Sequence, residues 1–307
     1  MGHLRKIEKK ASSFVFSCFC DLLMPIFRRR IGLNVKTIDE TLREVFEQRK
    51  SLIRFGDGEL LLLIGSGGPE FQKPNRVLQQ ELKELLEDFK RNRGGVLLCM
   101  PGILSNRGRE YKMVSFAKHY WFGFLRKNLL QLEMLFAQAG DVEFGDTNLT
   151  RPYMDTMDRE YAGTVFSRIK KELKGKNVLI VEGRYSRFGV GNDILSETKS
   201  VRRILGPEVN AYDRIDILLE RAKMETDVDV VILSLGPSAK ILAYNLTKCG
   251  FWCLDLGHLD IEYEWFKMGA TNKVVVKNKY VNETSAKFYS DGVMNFDYES
   301  QIIYSCE

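Results

Sequence analysis

Two carboxylates stand two positions apart in the stretch RFGDGEL, residues 54–60, directly after the apolar run SLI. Asp57 and Glu59 are separated by Gly58 and preceded by Gly56. Residues two apart on extended backbone project from the same side, and glycines let a phosphate or a metal approach the main chain. Hard carboxylate oxygens suit Mg²⁺ or Mn²⁺. The spacing predicts a divalent-cation site at the end of a strand, and a glycine-bounded turn with solvated acids is the alternative.

A second acidic run, GHLDIEYEW at residues 257–265, follows the apolar segment FWCLD. If this run is extended, all its acids and its histidine share one face; if it is helical, Asp260 and Glu264 still do. Such carboxylates could deprotonate a hydroxyl or share a divalent cation, and a solvated run of like charges is the alternative. The predicted catalytic residues of this run are His258, Asp260, Glu262 and Glu264.

Two further segments have the composition of anion-binding loops. In EGRYSRFGVGND, residues 182–193, Arg184 and Arg187 could clasp an anion that backbone N–H groups approach through the glycines, unless they are ordinary surface arginines. The turn Gly236-Pro237-Ser238 opens a helix and could offer N–H groups to a phosphate, although Ser238 could also be a simple N-cap. Neither GxGxxG nor GxxxxGK[ST] occurs, which counts against a standard dinucleotide or P-loop site.

The elements that must position these residues alternate between apolar strand-like runs and amphipathic helical segments. Predicted strands are residues 51–55, 96–100, 177–183, 227–236 and 251–257, and predicted helices include 37–48, 79–89, 111–139 and 237–249. This alternation predicts an α/β fold, Rossmann-like, with a mainly parallel sheet covered by helices. Ligands bind such sheets outside the carboxyl ends of the strands, so the four polar loops should meet in one crevice. The tail beyond about residue 275 alternates in β fashion, and no chemistry is predicted for it.

Composition excludes some classes of protein. The chain has 307 residues and a formal charge of +5, from 46 Lys and Arg against 41 Asp and Glu, without the basic stripe of a dedicated nucleic-acid binder. Its six cysteines form no CxxC pair, which indicates free thiols in a reducing compartment. We therefore predict a cytoplasmic protein with no nucleic-acid partner.

The first 36 residues form a separate segment, followed by a single α/β domain at 37–307 that ends in the tail. The apolar stretch SSFVFSCFCDLLMPIF has basic residues on both sides, is too short to span a membrane, and contains Asp21 and Pro25. No small-residue cleavage site follows it, which argues against a secretory signal. Residues 1–30 are therefore either an interfacial helix on anionic lipid at the inner face of the membrane or a helix docked on the protein's own surface.

Five ordered blocks resemble the GT-D-type glycosyltransferases, a family first catalogued as a domain of unknown function. The blocks are RFGDGE (54–59), FGDTNLTRPYMD (144–155), VEGRYSRFGVGND (181–193), NAYDRIDILL (210–219), and LGPSAKILAYNL through DLGHLDIEYEWF (235–266). The resemblance extends over roughly residues 40–270. It implies a Rossmann-like, metal-dependent transferase that uses a UDP-sugar and a D-x-E motif. Asp57 and Glu59 match that motif best, and Asp260 with Glu262 forms a second D-x-E.

The function implied by the resemblance is transfer of a hexose, glucose from UDP-glucose, to a hydroxyl of a protein-linked glycan or a surface polysaccharide. Mn²⁺ or Mg²⁺ on Asp57 and Glu59, helped by Arg187, would neutralise the leaving diphosphate, and an acid of the second run would be the base. The residues predicted to bind the nucleotide sugar are Arg54, Gly56, Arg184, Ser186, Arg187, Gly191, Asn192, Asp193, Gly236 and Ser238. The alternatives are a non-catalytic nucleotide- or phosphate-binding protein and a metal-dependent phosphohydrolase.

Overall fold

The structure, a computed structural model, describes residues 2–92, 94–107, 113–284 and 295–306, with side chains from residue 16 onward. Its strands are β1 (Asn34–Val35), β2 (Ser51–Arg54), β3 (Val96–Met100), β4 (Glu143–Asp146), β5 (Asn177–Gly183), β6 (Ser200–Gly206), β7 (Val230–Ser234), β8 (Cys253–Asp255) and β9 (Ile302–Ser305). They form one sheet in the order β1-β4-β3-β2-β8-β7-β5-β6-β9. All eight pairings between neighbours are parallel, which confirms the predicted fold class.

The described residues contain ten α-helices, four of which begin at a side chain that accepts a hydrogen bond from a free backbone N–H group. They are α1 (Gly2–Ile31), α2 (Ile38–Phe46), α3 (Asp57–Leu63), α4 (Arg76–Arg91), α5 (Ser115–Phe136), α6 (Arg159–Leu173), α7 (Ile215–Lys223), α8 (Ser238–Lys248), α9 (Leu259–Lys267) and α10 (Phe296–Gln301). Thr37 and Glu40 form a capping box at the start of α2. Asn75 accepts hydrogen bonds from the N–H groups of Val77 and Leu78 at the start of α4.

Helices cover both faces of the sheet, and in β2, β3, β5, β7 and β8 alternate residues belong to two separate cores. In β5, for example, Leu179 lies in one core and Val178 in the other. The first core receives apolar side chains from α1, α3, α4, α5, α7 and α8, and the second from α2, α6 and α9. Burial on both faces explains why the inner strands read as continuous apolar runs in the sequence.

The amino-terminal helix α1 docks on α5 over the part whose side chains are described, residues 16–31. Cys20 and Met24 are buried there, and the rings of Phe16 and Phe27 contact Phe122 of α5. The docked-helix alternative is therefore confirmed for this part. Another side of the same helix leaves Phe19 exposed, and Leu22 and Ile26 with it. Among the helices of the described residues, none has the length and apolar character needed to cross a membrane.

The predicted β alternation of the tail is wrong. Residues 273–281 contribute to none of the nine strands, and their buried side chains, Val276, Lys279 and Val281, do not alternate with exposed ones. They fold against α9 because Lys279 finds carboxylates there, at 2.6 Å from Asp260. The last strand is instead β9, which pairs with β6.

Candidate functional site

A cleft of about 740 Å³ opens at the carboxyl ends of the strands. The loops that follow β2, β5, β7 and β8 all contribute to its lining, which confirms the predicted convergence of the four polar loops. Helix α3, which follows β2, packs into the first core, and α9, which follows β8, packs into the second. Since β2 and β8 are neighbours, the chain leaves them towards opposite faces and opens a crevice between them.

Four charged residues beneath this crevice form a buried network, named here the floor network: Arg54, Glu59, Lys240 and Asp255. Arg54 Nε donates to the Asp255 carbonyl oxygen at 2.6 Å, and its Nη2 lies 3.2 Å from Asp255 Oδ1. Lys240 Nζ lies 3.0 Å from Asp255 Oδ2 and 3.1 Å from Glu59 Oε1. Burial alone would raise the pKa of Asp255, but Arg54 and Lys240 outweigh it and lower that pKa. The network is electrically balanced, with two cations and two carboxylates.

Asp57 and Glu59 do not project together, so the geometry predicted for this pair is wrong. Helix α3 begins at Asp57, directly after β2, and residues two apart on a helix point about 200° apart. Glu59 Oε2 accepts from Gly56 N at 2.9 Å, as the acid of a capping box does, and its other oxygen faces Lys240. Asp57 instead accepts a hydrogen bond from the Tyr120 hydroxyl. Both carboxylates still line the cleft.

The carboxylates at this edge fit only an open metal site, one that leaves ligand positions to substrate and water. Within the described residues, no three His, Cys, Asp or Glu side chains lie close enough together to hold a metal by themselves. Mg²⁺ and Mn²⁺ commonly use one or two carboxylates and take their remaining ligands from phosphate and water. Asp57 and Glu59 are two such carboxylates, although α3 points their side chains about 200° apart. The ammonium of Lys240 already lies between Glu59 and Asp255, so a metal ion at Glu59 would share this carboxylate with Lys240.

A second charged group lies at the cleft wall, the tail cluster of Arg151, Asp155, His258, Lys273 and Glu283. Lys273 Nζ lies 2.7 Å from Glu283 Oε2 and 3.4 Å from Asp155 Oδ1, and Arg151 contacts both acids. Burial, and then Arg151, lowers the pKa of His258 to about 3, so its imidazole is neutral at physiological pH. Its Nε2 is buried without a hydrogen bond, 3.8 Å from Glu283 Oε1.

Most of the tail cluster was missed from the sequence as a candidate site. Arg151 and Asp155 lie inside one of the blocks quoted for the family resemblance, so that block could have drawn attention to them. Lys273 and Glu283 belong to the tail, whose pattern predicted no chemistry. Only His258 was among the predicted catalytic residues.

Two acids of the second run, Asp260 and Glu264, share one face of α9 and bind other parts of the chain. Asp260 Oδ1 accepts from Gly189 N at 2.9 Å and from Asn192 Nδ2 at 2.8 Å. Lys279 Nζ donates to Asp260 Oδ2 at 2.6 Å and to Glu264 Oε1 at 2.8 Å. These contacts fix the 182–193 loop and the tail to the same helix. Asp260 also lines the cleft, and Glu264 is not among the lining residues.

The third acid, Glu262, fixes the backbone of another loop. Its Oε2 accepts from the N–H groups of Tyr153 and Met154 at 3.0 and 2.9 Å. Its Oε1 is buried without a hydrogen-bond partner. Burial raises the pKa of Glu262 to about 7 even though Arg151 lowers it. Glu262 is not among the residues that line the cleft.

The turn before α8 brings backbone to the cleft, as predicted for an anion site. Gly236 has φ +54°, and a Cβ there would lie 2.5 Å from a ring carbon of Phe71, so only glycine fits. Pro237 occupies the N-cap position and Ser238 is the first helical residue, so Ser238 is not the N-cap. Its hydroxyl is buried and has no hydrogen-bond partner.

The arginines of the 182–193 loop do not line the cleft. The guanidinium carbon of Arg187 lies 5.2 Å from the ring centroid of Tyr298, and Arg184 is exposed. Asp193 binds Lys170 at 2.5 Å on the outer surface. Of the residues predicted to bind the nucleotide sugar, Arg54, Gly56, Ser186 and Gly236 line the cleft, whereas Arg184, Arg187, Gly191, Asn192, Asp193 and Ser238 do not.

The sequence is similar to a known protein family and to two streptococcal proteins. The sequence profile of the glycosyltransferase GT-D fold matches residues 52–284. "Glycosyltransferase GlyD" of Streptococcus pneumoniae serotype 4 is 34% identical over 275 residues, which is 88% of this chain. "Probable glycosyl transferase Gly" of Streptococcus gordonii is 34% identical over 274 residues, again 88% of this chain. The chain spans 32% and 38% of the lengths of these two relatives.

A solved structure is similar over the whole fold. It is described as the highly conserved domain of unknown function 1792 with a distinct glycosyltransferase fold, and it is 32% identical to this chain with a TM-score of 0.81. The match covers 91% of this chain and 98% of the solved one. Because the sequence profile matches most of the chain and the solved structure is similar over 91% of it, this chain belongs to the GT-D-fold family of glycosyltransferases.

Proposed function

We propose that this glycosyltransferase moves a hexose, glucose from UDP-glucose, to a hydroxyl of a protein-linked glycan or a surface polysaccharide. The observation that carries the proposal is the cleft between β2 and β8, with the electrically balanced floor network beneath it. The chain's membership of a glycosyltransferase family says what kind of ligand this cleft should take. A glycosyltransferase needs a sugar donor and a glycan acceptor, and a cleft of about 740 Å³ is of the size that holds small ligands.

The donor's diphosphate belongs, in this proposal, at the amino-terminal end of α8. The first N–H groups of a helix lack partners and carry a positive dipole end, which favours phosphate. Gly236 keeps that backbone open, and Lys240 is one turn further along the helix. Because two carboxylates hold Lys240 in a buried position, its ammonium is already oriented before the substrate binds.

Asp57 and Glu59 would hold the divalent cation, Mn²⁺ or Mg²⁺. The bound cation would neutralise the charge that the diphosphate gains as the glycosidic bond breaks. Asp57 accepts one hydrogen bond, from Tyr120 through Oδ2, and within the described residues its Oδ1 accepts none. Glu59 is held in place by Gly56 and Lys240. Both side chains therefore keep fixed positions at the cleft.

The base that takes the acceptor's proton is proposed to lie among Asp260, Glu262 and Glu264. Asp260 is the member of this group that lines the cleft. Lys279 and the 182–193 loop bind its carboxylate and keep it oriented. His258 also lines the cleft, with a neutral imidazole.

Product analysis tests the proposal against its two rivals. The parent protein incubated with UDP-glucose and Mn²⁺ should release UDP, and a metal chelator should suppress the release. A non-catalytic binding protein would release no UDP, and a phosphohydrolase would release inorganic phosphate. Asp57→Asn and Glu59→Gln should each weaken metal-dependent UDP binding, whereas Glu160→Gln, which changes an exposed acid on α6, should not. Equal UDP affinity and an equal gain with Mn²⁺ in both site variants would move the metal site to Asp260 and Glu262.

The exposed side of α1 is proposed to contact anionic lipid at the inner face of the membrane. Phe19, Leu22 and Ile26 are exposed there, and Arg29 lies one turn beyond Ile26. An apolar helix face beside basic residues binds the interface of anionic bilayers. Deleting the helix would uncover α5, so the test replaces these three apolar residues by serine, with Val77→Ser on α4 as the control. Equal sedimentation of the triple variant and the parent with anionic liposomes would contradict this proposal.

A further inference from the structure

Two aromatic rings stand at the rim of the cleft with large exposed surfaces. Phe116 and Tyr120 are one turn apart near the start of α5, and they are 71% and 44% exposed. Both line the cleft. An exposed apolar surface that is part of a cleft indicates a ligand-binding surface more strongly than an isolated surface residue does.

Neighbouring side chains hold the ring of Tyr120 in place, while Phe116 stands free beside a lysine. The ring of Tyr120 contacts Trp121 edge-on at 5.8 Å between centroids and lies nearly parallel to Phe124 at 6.5 Å. Its hydroxyl donates to Asp57. Lys273 Nζ lies 5.9 Å from the centroid of Phe116. Because the Tyr120 ring is already fixed, binding a ligand against it costs less conformational entropy.

The surroundings suit a pyranose ring. A sugar ring has faces of C–H groups, which pack against the negative face of an aromatic ring, and a periphery of hydroxyls, which need hydrogen-bond partners. The two aromatic rings supply the first kind of surface. A charged partner lies beside them, since Lys273 of the tail cluster lies against Phe116. This combination of surfaces distinguishes the rim from a purely apolar docking face.

We infer that Phe116 and Tyr120 form a platform for a pyranose ring of the acceptor glycan, with Lys273 in position to bind its hydroxyls. The inference rests on the proposed function. The donor's diphosphate is assigned to the backbone before α8 and to Lys240, deeper in the cleft. The large exposed surface of Phe116 suits one sugar of a longer glycan that continues into solvent. Only part of such a glycan has to be enclosed by the cleft.

The test measures sugar binding directly and does not require turnover. Methyl glycosides of glucose, galactose, mannose and N-acetylglucosamine are titrated into the full chain in the presence of UDP, with NMR detection of saturation transfer. At least one glycoside should bind the parent, with the largest transfer to the C–H protons of one ring face. Phe116→Ala should raise its Kd about tenfold, Phe116→Trp should restore binding, and Met134→Ala, an exposed residue far along the same helix, should leave Kd unchanged.

Two groups of outcomes would overturn the inference. The first concerns the sugar: none of the four glycosides binds the parent, or Phe116→Ala binds as well as the parent does. The second is that Phe116→Ala weakens UDP binding by the same factor, since the ring would then belong to the donor site. Failure of the proposed function is a different result, because it would appear as a parent protein that neither binds UDP nor releases it from UDP-glucose.

Discussion

Replacing Lys279 by methionine tests whether the tail is held on α9 by charge. The ammonium lies 2.6 Å from Asp260 and 2.8 Å from Glu264, and its side chain is 2% exposed. Methionine keeps most of the volume and removes the charge, so two carboxylates remain buried without their cation. Asp260 keeps its bonds from Gly189 and Asn192, which limits the loss.

The expected cost follows from the burial of this group. Removing one partner of a buried ion pair costs about 3–5 kcal/mol, because the remaining charge stays desolvated. Unfolding entropy of about 2.1 cal/mol/K per residue gives a chain of 307 residues roughly 0.6 kcal/mol of stability per degree near the melting point. Lys279→Met should therefore lower Tm by about 5–8 °C.

Thermal unfolding followed by circular dichroism measures this change. Lys267→Met is the matched control on α9, because Lys267 is half exposed and lies 3.4 Å from Asp193; a surface pair of this kind contributes at most about 1 kcal/mol. Adding Asp260→Asn and Glu264→Gln to Lys279→Met should recover part of the loss, since no buried charge then remains unpaired. Hydrogen exchange at the Gly189 amide should rise in Lys279→Met. The reasoning is refuted if Lys279→Met melts within 1–2 °C of the Lys267→Met control.

Three further predictions follow from buried ionisable groups. Glu262 has a pKa of about 7 in the folded state against 4.5 unfolded, so it binds its proton more tightly when folded. The free energy of unfolding of the parent, relative to that of Glu262→Gln, should therefore fall by about 3 kcal/mol as pH rises from 4.5 to 7. A stability difference that is flat across this window in denaturant titrations would contradict it. The ring resonances of His258, assigned with His258→Gln, should not shift between pH 5 and 8, and a midpoint near 6.5 would show that the ring is solvated. Native protein should expose two fast-reacting thiols to a disulfide reagent, Cys18 and Cys249, and four more only on unfolding, because Cys20, Cys99, Cys253 and Cys306 are buried.

Local patterns were sufficient to predict the inner strands and the helices beside them. The run VLLCM becomes β3 because both faces of the sheet are covered, which makes its continuous apolar character necessary. The helix predicted at 79–89 forms within α4, whose buried residues Leu78, Leu82 and Leu85 recur at helical spacing. The meeting of loops at one edge followed from the parallel sheet alone.

Local sequence patterns could not predict the orientation of single side chains. The sequence predicts Asp57 and Glu59 on extended backbone because they directly follow an apolar strand, yet Gly56 begins a helix there. Glu59 three residues after that position was the available sign of a helix start. Lys279 could not be predicted as buried, because its burial depends on carboxylates 15 and 19 positions earlier in the chain.

The central pairing of β2 with β8 has a consequence for synthesis of the chain. Leu52 lies beside Leu254, so a strand made early finds one of its two neighbours only about 200 residues later. Until residue 255 has left the ribosome, β2 is an unpaired apolar edge of the half-sheet formed by β1, β4, β3 and β2. This edge becomes the middle of the complete sheet. Nascent chains that pause before this point present a strand edge to other chains, which is a route to aggregation. Synonymous changes that slow translation between residues 150 and 250 should therefore lower the soluble yield more than the same changes placed after residue 260.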